Sequence, residues 1–425
     1  MKGSNLKLQS LSTFVMFCIF APYGAAQNKP NVDMPTTALT NASNVNQDAH
    51  FFSIPHALRE TILNDSENRV QAAFKVPPAI KPLVDFWLQI YGQYSAYQAL
   101  IHDRENPALI YEVVDLRDLF LAGRSAVVLE LEIKARLQKK IAKYQAAFLA
   151  LASGTKQRSA VIQTPEYQRI VALIANNPKQ PRHRYLEYKK RMRVQTGLRD
   201  RVIDGIQTAK PFFSAMEDIF KNYNIPTDIT RLCLVESSFN THAISKAAAV
   251  GVWQFLERSA IGEGMIVKPG LGIDERRSAI KSTIGAAKMM KRNYRILDDW
   301  GLAIIAYNHG PKNLVPLRKT FKGDQFIKLL DPNFKSPLGF ASKNYYAEFI
   351  AMLHAERYRQ ELFGIENYPE NYTTEMVTID RPVNMFSLST RFNIPLYRLK
   401  QFNPDVFKLD QLLPKGTRIV LPKFN

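Results

Sequence analysis

Apolar positions recur at helical spacing over most of the chain. Leu129, Ile133, Leu137, Ile141, Tyr144 and Phe148 fall three and four residues apart, which is the period of one face of an amphipathic helix. The stretches "LVDFWLQIYGQYSAYQALIHD", "GIQTAKPFFSAMEDIFKNYNIP", "AIKSTIGAAKMMKRNYRIL" and "NYYAEFIAMLHAERYRQELF" have the same texture. No long alternating run, the mark of a half-buried strand, suggests a large sheet. The pattern predicts a mainly α protein with an all-α body. Beyond "YPENYTT" it changes: residues 376–379 are strand-like, "MFSLSTRF" and "PLYRLKQF" are helix-like, and "GTRIVLP" closes as a strand after the turn at Lys415 and Gly416. A compact βααβ unit is predicted there.

One position breaks the apolar rule. Ile229, Leu232 and Cys233 stand at i, i+3 and i+4 of a helical stripe, and Glu236 occupies i+7. Pro226 with Thr227 or Asp228 supplies a helix start, so Glu236 falls about two turns in. Phe239 and Asn240 then break toward a loop. A carboxylate so placed loses hydration, and its pKa rises until it can donate a proton near neutral pH. The plainer alternative is a buried carboxylate tied to an arginine or to helix N–H groups.

The two ends of the chain bear on its address. The first 26 residues have lysines at 2 and 7, an apolar run from about Leu11 to Ala21, and small residues Gly24 and Ala26; this reads as a secretory signal peptide. The run is shorter than the ~20 residues of a spanning helix. Residues 27–66, rich in Asn, Asp, Thr and Pro, read as a disordered linker. A helical N-terminal domain is expected over 67–205, the all-α domain bearing Glu236 over 206–365, and the βααβ unit over 372–425.

The formal charge is +19, or +17 without Lys2 and Lys7, and the sequence pI is near 9.7. Such a chain seeks polyanions. For an exported protein these are the cell wall and membrane surfaces, with nucleic acid less accessible. Residues 179–201 carry nine Lys or Arg against Glu187 and Asp200, which reads as a solvated helix face. Of two cysteines, Cys18 lies in the signal segment, so Cys233 remains alone and neither a disulfide nor a cysteine zinc site is expected. His242 and His309 lack metal-ligand spacing, and no metal is expected.

Four motifs surround the misplaced glutamate: "ESSFN" at 236–240, "AISKAAAVGVWQF" at 243–255, "DERRS" at 274–278 and "AIIAYNHG" at 303–310. Their series resembles the catalytic domain of soluble lytic transglycosylases, goose-lysozyme-like in fold, and the chain is similar to the membrane-bound lytic murein transglycosylase D group. The likeness extends through "FWLQIYGQY", "QTGLRDRVIDGI" and "GFASKNYYAEFIAM". The βααβ unit resembles a LysM glycan-binding module through "FNIPLYRLKQFNP" and "LLPKGTRIVLP", although "RPVNMF" replaces the family's opening.

The resemblance implies a cofactor-free peptidoglycan lytic transglycosylase, exported to the periplasm and peripheral to the wall or membrane surface. Glu236 would be the single acid, then base, in cleaving the bond between N-acetylmuramic acid and N-acetylglucosamine with formation of a 1,6-anhydro sugar. Ser237, Gly251, Gln254, Tyr307 and Asn308 would bind substrate or support it. Gly251 would let backbone approach the sugar, and the Tyr307 hydroxyl would hold the carboxylate. Trp253 is open between core and sugar platform, and Asp274 is expected in a local network with arginine. A hydrolytic muramidase on the same fold and a non-catalytic wall-binding scaffold are the rival readings.

Overall fold

The computed structural model describes residues 52–154, 160–174, 181–321, 323–332, 334–366 and 372–424. The signal peptide expected over 1–26 and most of the linker expected after it lie outside the described residues. The last part of that linker span is ordered: His56–Asn64 is a helix with Ile62 and Leu63 buried. The described chain is mainly α, as its periodicity predicts. One compact unit combines His56–Gly92 with Asp200–Asn425, and the other contains Gln93–Arg199.

The second unit is not purely helical. Its strands run antiparallel in the order Ile110–Asp115, Gln98–Asp103, Met192–Thr196. The 28-residue helix Ala126–Ser153 starts where the Ser125 side chain accepts from Val128 N–H and ends at Gly154, whose φ of 65° suits the left-handed closing turn. Its buried residues Ile133, Tyr144 and Phe148 come from the predicted stripe and pack with Ile101, Tyr111 and Val114 of the sheet. Part of the basic run forms the helix Arg182–Arg191, in which no residue is buried, as a solvated face requires.

In the first unit the helix Phe340–Arg357 is buried along nearly its whole length. The helix Lys81–Gly92 packs on it, and Trp87 Nε1 donates to Asn344 Oδ1 at 3.0 Å, satisfying the indole inside the core. The helix Ala279–Leu297 begins at Ser278, whose hydroxyl accepts from Lys281 N–H, and Trp300–His309 begins at Asp299, which caps Leu302 N–H.

The C-terminal segment is a βααβ unit. Strand Tyr372–Thr378 pairs with Arg418–Phe424, and helices Met385–Phe392 and Leu396–Phe402 lie between them in the chain. It is not a bead on a tether. Ile273, from the helical body, is part of its apolar core with Met385, Leu399, Val406 and Ile419, and Ile273 also bridges Val406 backbone to backbone. Lys281 Nζ donates to Asp405 Oδ2 at 2.6 Å with both side chains fully buried, and Arg418 pairs with buried Glu275. The pairing offsets the cost of burying both charges, and Lys281 Nζ also donates to the Arg418 carbonyl at 2.6 Å.

Candidate active site

Glu236 is set by a short piece of chain. A 3-10 turn at Thr227–Arg231 leads into the helix Leu232–Ser237, and Ile229, Leu232 and Cys233 are all buried, as the stripe requires. Glu236 continues that face and is only partly exposed. Two consecutive residues with positive φ, Ser238 at 49° and Phe239 at 58°, turn the chain sharply after it. Gly205 makes room for that turn, because a Cβ there would lie 2.6 Å from the Ser238 carbonyl oxygen. Non-glycine residues in this region of backbone space are costly and gather at functional sites. Ala248 and Gln254, at 62° and 49°, add to the group.

Burial pushes the Glu236 pKa from 4.5 up to about 7, and a hydrogen bond from Tyr345 moderates the rise. The Tyr345 hydroxyl donates to Glu236 Oε1. This corrects the expectation that Tyr307 would hold the carboxylate. The Tyr307 hydroxyl instead donates to the Trp253 carbonyl at 2.9 Å, which uses its one proton, although Tyr307 is near enough to feel the charge of Glu236. Both tyrosines are kept well above their usual pKa, first by burial and then by Glu236, so they stay protonated donors.

The other expected residues form the supporting loop. Ser237 Oγ donates to the Val252 carbonyl at 2.9 Å, tying the end of the glutamate's helix to the segment carrying Gln254. Gln254 turns its amide onto the Gly251 carbonyl at 2.8 Å rather than toward Glu236. Trp253 is core: it is fully buried, donates to Thr283 Oγ1 at 2.8 Å and stacks on Phe220. Asn308 is partly buried beside Tyr307 on the helix Trp300–His309 and makes no hydrogen bond to Glu236 among the described residues.

Gly251 serves a different purpose from the one expected. At φ 79°, a Cβ on it would lie 1.9 Å from the Arg276 carbonyl oxygen, so its close neighbour is protein backbone rather than a sugar. Asp274 holds Arg276 through bonds of 2.9 and 2.8 Å, the structural network expected of it, and so fixes the strand of backbone against which Gly251 packs. A cavity of about 390 Å³ lies away from this site, lined by Arg69, Arg357, Arg359 and Gln360. Its arginines are paired with Glu361, Asp228 and Glu356 respectively. It contains none of the residues around Glu236.

The sequence pattern does not single out Tyr345. It lies 109 residues after its partner, in a helix whose spacing reads as plain core. The one available signal was a buried phenol, whose hydroxyl needs an acceptor.

Residues 215–328 match the family described as Transglycosylase SLT domain. Over that segment the chain is similar to this domain. It is also 30% identical over 204 residues to the membrane-bound lytic murein transglycosylase D of Escherichia coli strain K12 and, to the same extent, to that of strain CFT073. Those 204 residues are 47% of the chain and 43% of each relative, so the chain spans less than half the length of the curated relatives it matches. The matched family is the one that the four motifs resemble. The SLT segment contains Glu236, Ser237, Gly251, Gln254, Tyr307 and Asn308, whereas Tyr345 lies beyond its end.

Proposed function

We propose that the protein is a peptidoglycan lytic transglycosylase in which Glu236 acts alone, first as acid and then as base. The protonated carboxyl gives its proton to the oxygen between N-acetylmuramic acid and N-acetylglucosamine as that bond breaks. The resulting carboxylate takes the proton of the muramic C6 hydroxyl as its oxygen closes on C1. The product ends in a 1,6-anhydro ring, the glutamate regains its proton, and no water is consumed.

One observation carries this reading. A single carboxyl is raised to about 7, and among the described residues no second acid contributes to its shift. Ordinary glycosidases use two carboxyl groups, one of them to attack or to activate water. A carboxyl whose hydrogen-bond partner is a tyrosine rather than a second acid suits a reaction whose nucleophile belongs to the substrate. Tyr345 fixes the carboxyl and supports the ionised half of the cycle. Ser237, Gly251, Gln254, Tyr307 and Asn308 build and support the loop beside it, with the Gln254 amide able to donate and accept toward an acetamido group.

The positive charge would hold an exported enzyme on the anionic wall, and the βααβ unit would add a LysM-like glycan contact. Mass spectrometry of digested sacculi tests the proposal. Wild type should release muropeptides lighter by one water than hydrolytic products, and Glu236→Gln should release none. Products of full hydrolytic mass would make the enzyme a muramidase, and no release by wild type would leave only a binding scaffold.

A further inference from the structure

Most buried or half-buried arginines in this unit have a carboxylate partner: Arg231 has Glu356 and Glu217, Arg276 has Asp274, Arg357 has Asp228, and Arg418 has Glu275. Arg277 is different. Like that of Arg357, its Nε is buried with no hydrogen-bond partner, but its Nη1 meets a histidine, His242 Nδ1 at 3.2 Å, rather than a carboxylate. Its guanidinium lies 5.6 Å from the centre of the Phe407 ring. Lys400, from the βααβ unit, is close enough that it and Arg277 act on one another and both act on His242. Among the described residues no acid pairs with Arg277, Lys400 or His242.

The nearest acids are already committed. Asp274 acts on Arg277 but is bonded to Arg276, and Asp405 acts on Lys400 but is bonded to Lys281. Arg277 and His242 are thus in contact with no acid paired to either, and Lys400 lies near them beside Asp405, whose Oδ2 is held by Lys281 and whose buried Oδ1 has no hydrogen-bond partner. Burial, and after it the charge of Arg277, depresses the pKa of Lys400 and of His242, while Asp405 offsets part of the fall at Lys400. A fold gains nothing from such a cluster by itself, and a bound anion would relieve it.

The position of the cluster suggests which anion. Arg277 directly follows Arg276, whose carbonyl packs against Gly251, and His242 precedes Ala243, whose carbonyl accepts from Gly251 N–H at 2.9 Å. Both therefore flank the loop that carries Gln254. Lys400 already donates to the Val406 carbonyl, and an ammonium has three donors.

We propose that Arg277, Lys400 and His242 form a subsite for a carboxylate carried by the peptide substituents of the glycan strand, built jointly by the SLT domain and the βααβ unit. This rests on the transglycosylase reading above. A guanidinium and an ammonium converging on a carboxylate make charge-assisted hydrogen bonds, stronger than neutral ones and dependent on ionic strength. The subsite would select strands that still bear their stem peptides.

The full chain carrying Glu236→Gln, which binds without cleaving, is titrated with two probes. One is a tetrasaccharide of the wall glycan bearing stem peptides, and the other is uncharged chitotetraose. Adding Arg277→Gln or Lys400→Gln should raise Kd for the peptide-bearing probe about tenfold at low salt. Binding of chitotetraose should not change, which also shows that the variants are folded, and Arg277→Lys should recover part of the loss. Equal weakening of both probes, or of neither, overturns the proposal. So does weakened binding only to vesicles containing phosphatidylglycerol, which would make a lipid phosphate the anion. Failure of the transglycosylase reading would show separately, as wild type releasing no anhydro product from sacculi.

Discussion

The protonation of Glu236 can be tested without following any reaction, because a raised pKa is also a statement about stability. Folding moves the carboxyl from its ordinary 4.5 to about 7. At 1.36 kcal/mol per unit, that shift is about 3 kcal/mol. The sign follows from proton binding. Below pH 4.5 both folded and unfolded chains hold the proton, and the site costs nothing. Between 4.5 and 7 the unfolded chain ionises first, so wild type loses stability as pH rises until the folded carboxyl also ionises. Glu236→Gln keeps an acceptor for Tyr345 and cannot ionise. Urea unfolding of both proteins from pH 4 to pH 8.5 should therefore show near equality at the acid end and a gap in favour of the variant that widens to about 3 kcal/mol by pH 8. A gap independent of pH would refute a desolvated carboxyl at this position. A gap favouring wild type at high pH would mean that Glu236 is held ionised by a partner.

Three further outcomes follow from the same geometry. Tyr345→Phe removes a hydrogen bond that favours the ionised glutamate, so the alkaline limb of the pH–rate profile should move up from about 7 by roughly one unit while turnover falls; an unmoved limb would mean the bond does not matter. Gly251→Ala places a Cβ against the Arg276 carbonyl in left-handed backbone, and thermal unfolding should show a loss of about 2 kcal/mol or more with loss of sacculus digestion. Lys281→Met leaves Asp405 buried without its cation and should cost about 3–5 kcal/mol in urea unfolding, most of it recovered by adding Asp405→Leu.

Much of this site was legible because it lies in short contiguous stretches. The stripe of Ile229, Leu232 and Cys233 placed Glu236 on a buried face, and the helix Leu232–Ser237 does so. The βααβ order was readable from turn residues and brief changes of period, and the helix Met385–Phe392 coincides with "MFSLSTRF". What escaped depends on contacts between distant segments. Strands Gln98–Asp103 and Ile110–Asp115 are too short, and the first too uniformly buried, to alternate visibly. That Tyr345 rather than Tyr307 donates to Glu236, while Tyr307 donates to the Trp253 carbonyl, depends on packing that no local period encodes. Gly251 signalled a close approach, but only the fold shows that Arg276 is what approaches.

The buried join at Lys281 and Asp405 also governs how such a chain can be recombined. A terminal domain on a flexible tether can be cut off or traded for another with little effect on its neighbour. Here the tail leaves a socket behind: Lys281 and Glu275 would lose their countercharges, and Ile273 would be stripped of its apolar surroundings. A chimera made by splicing a foreign tail after residue 371 should therefore be poorly soluble unless its socket residues are transplanted with it. Tail and socket are one inheritable part.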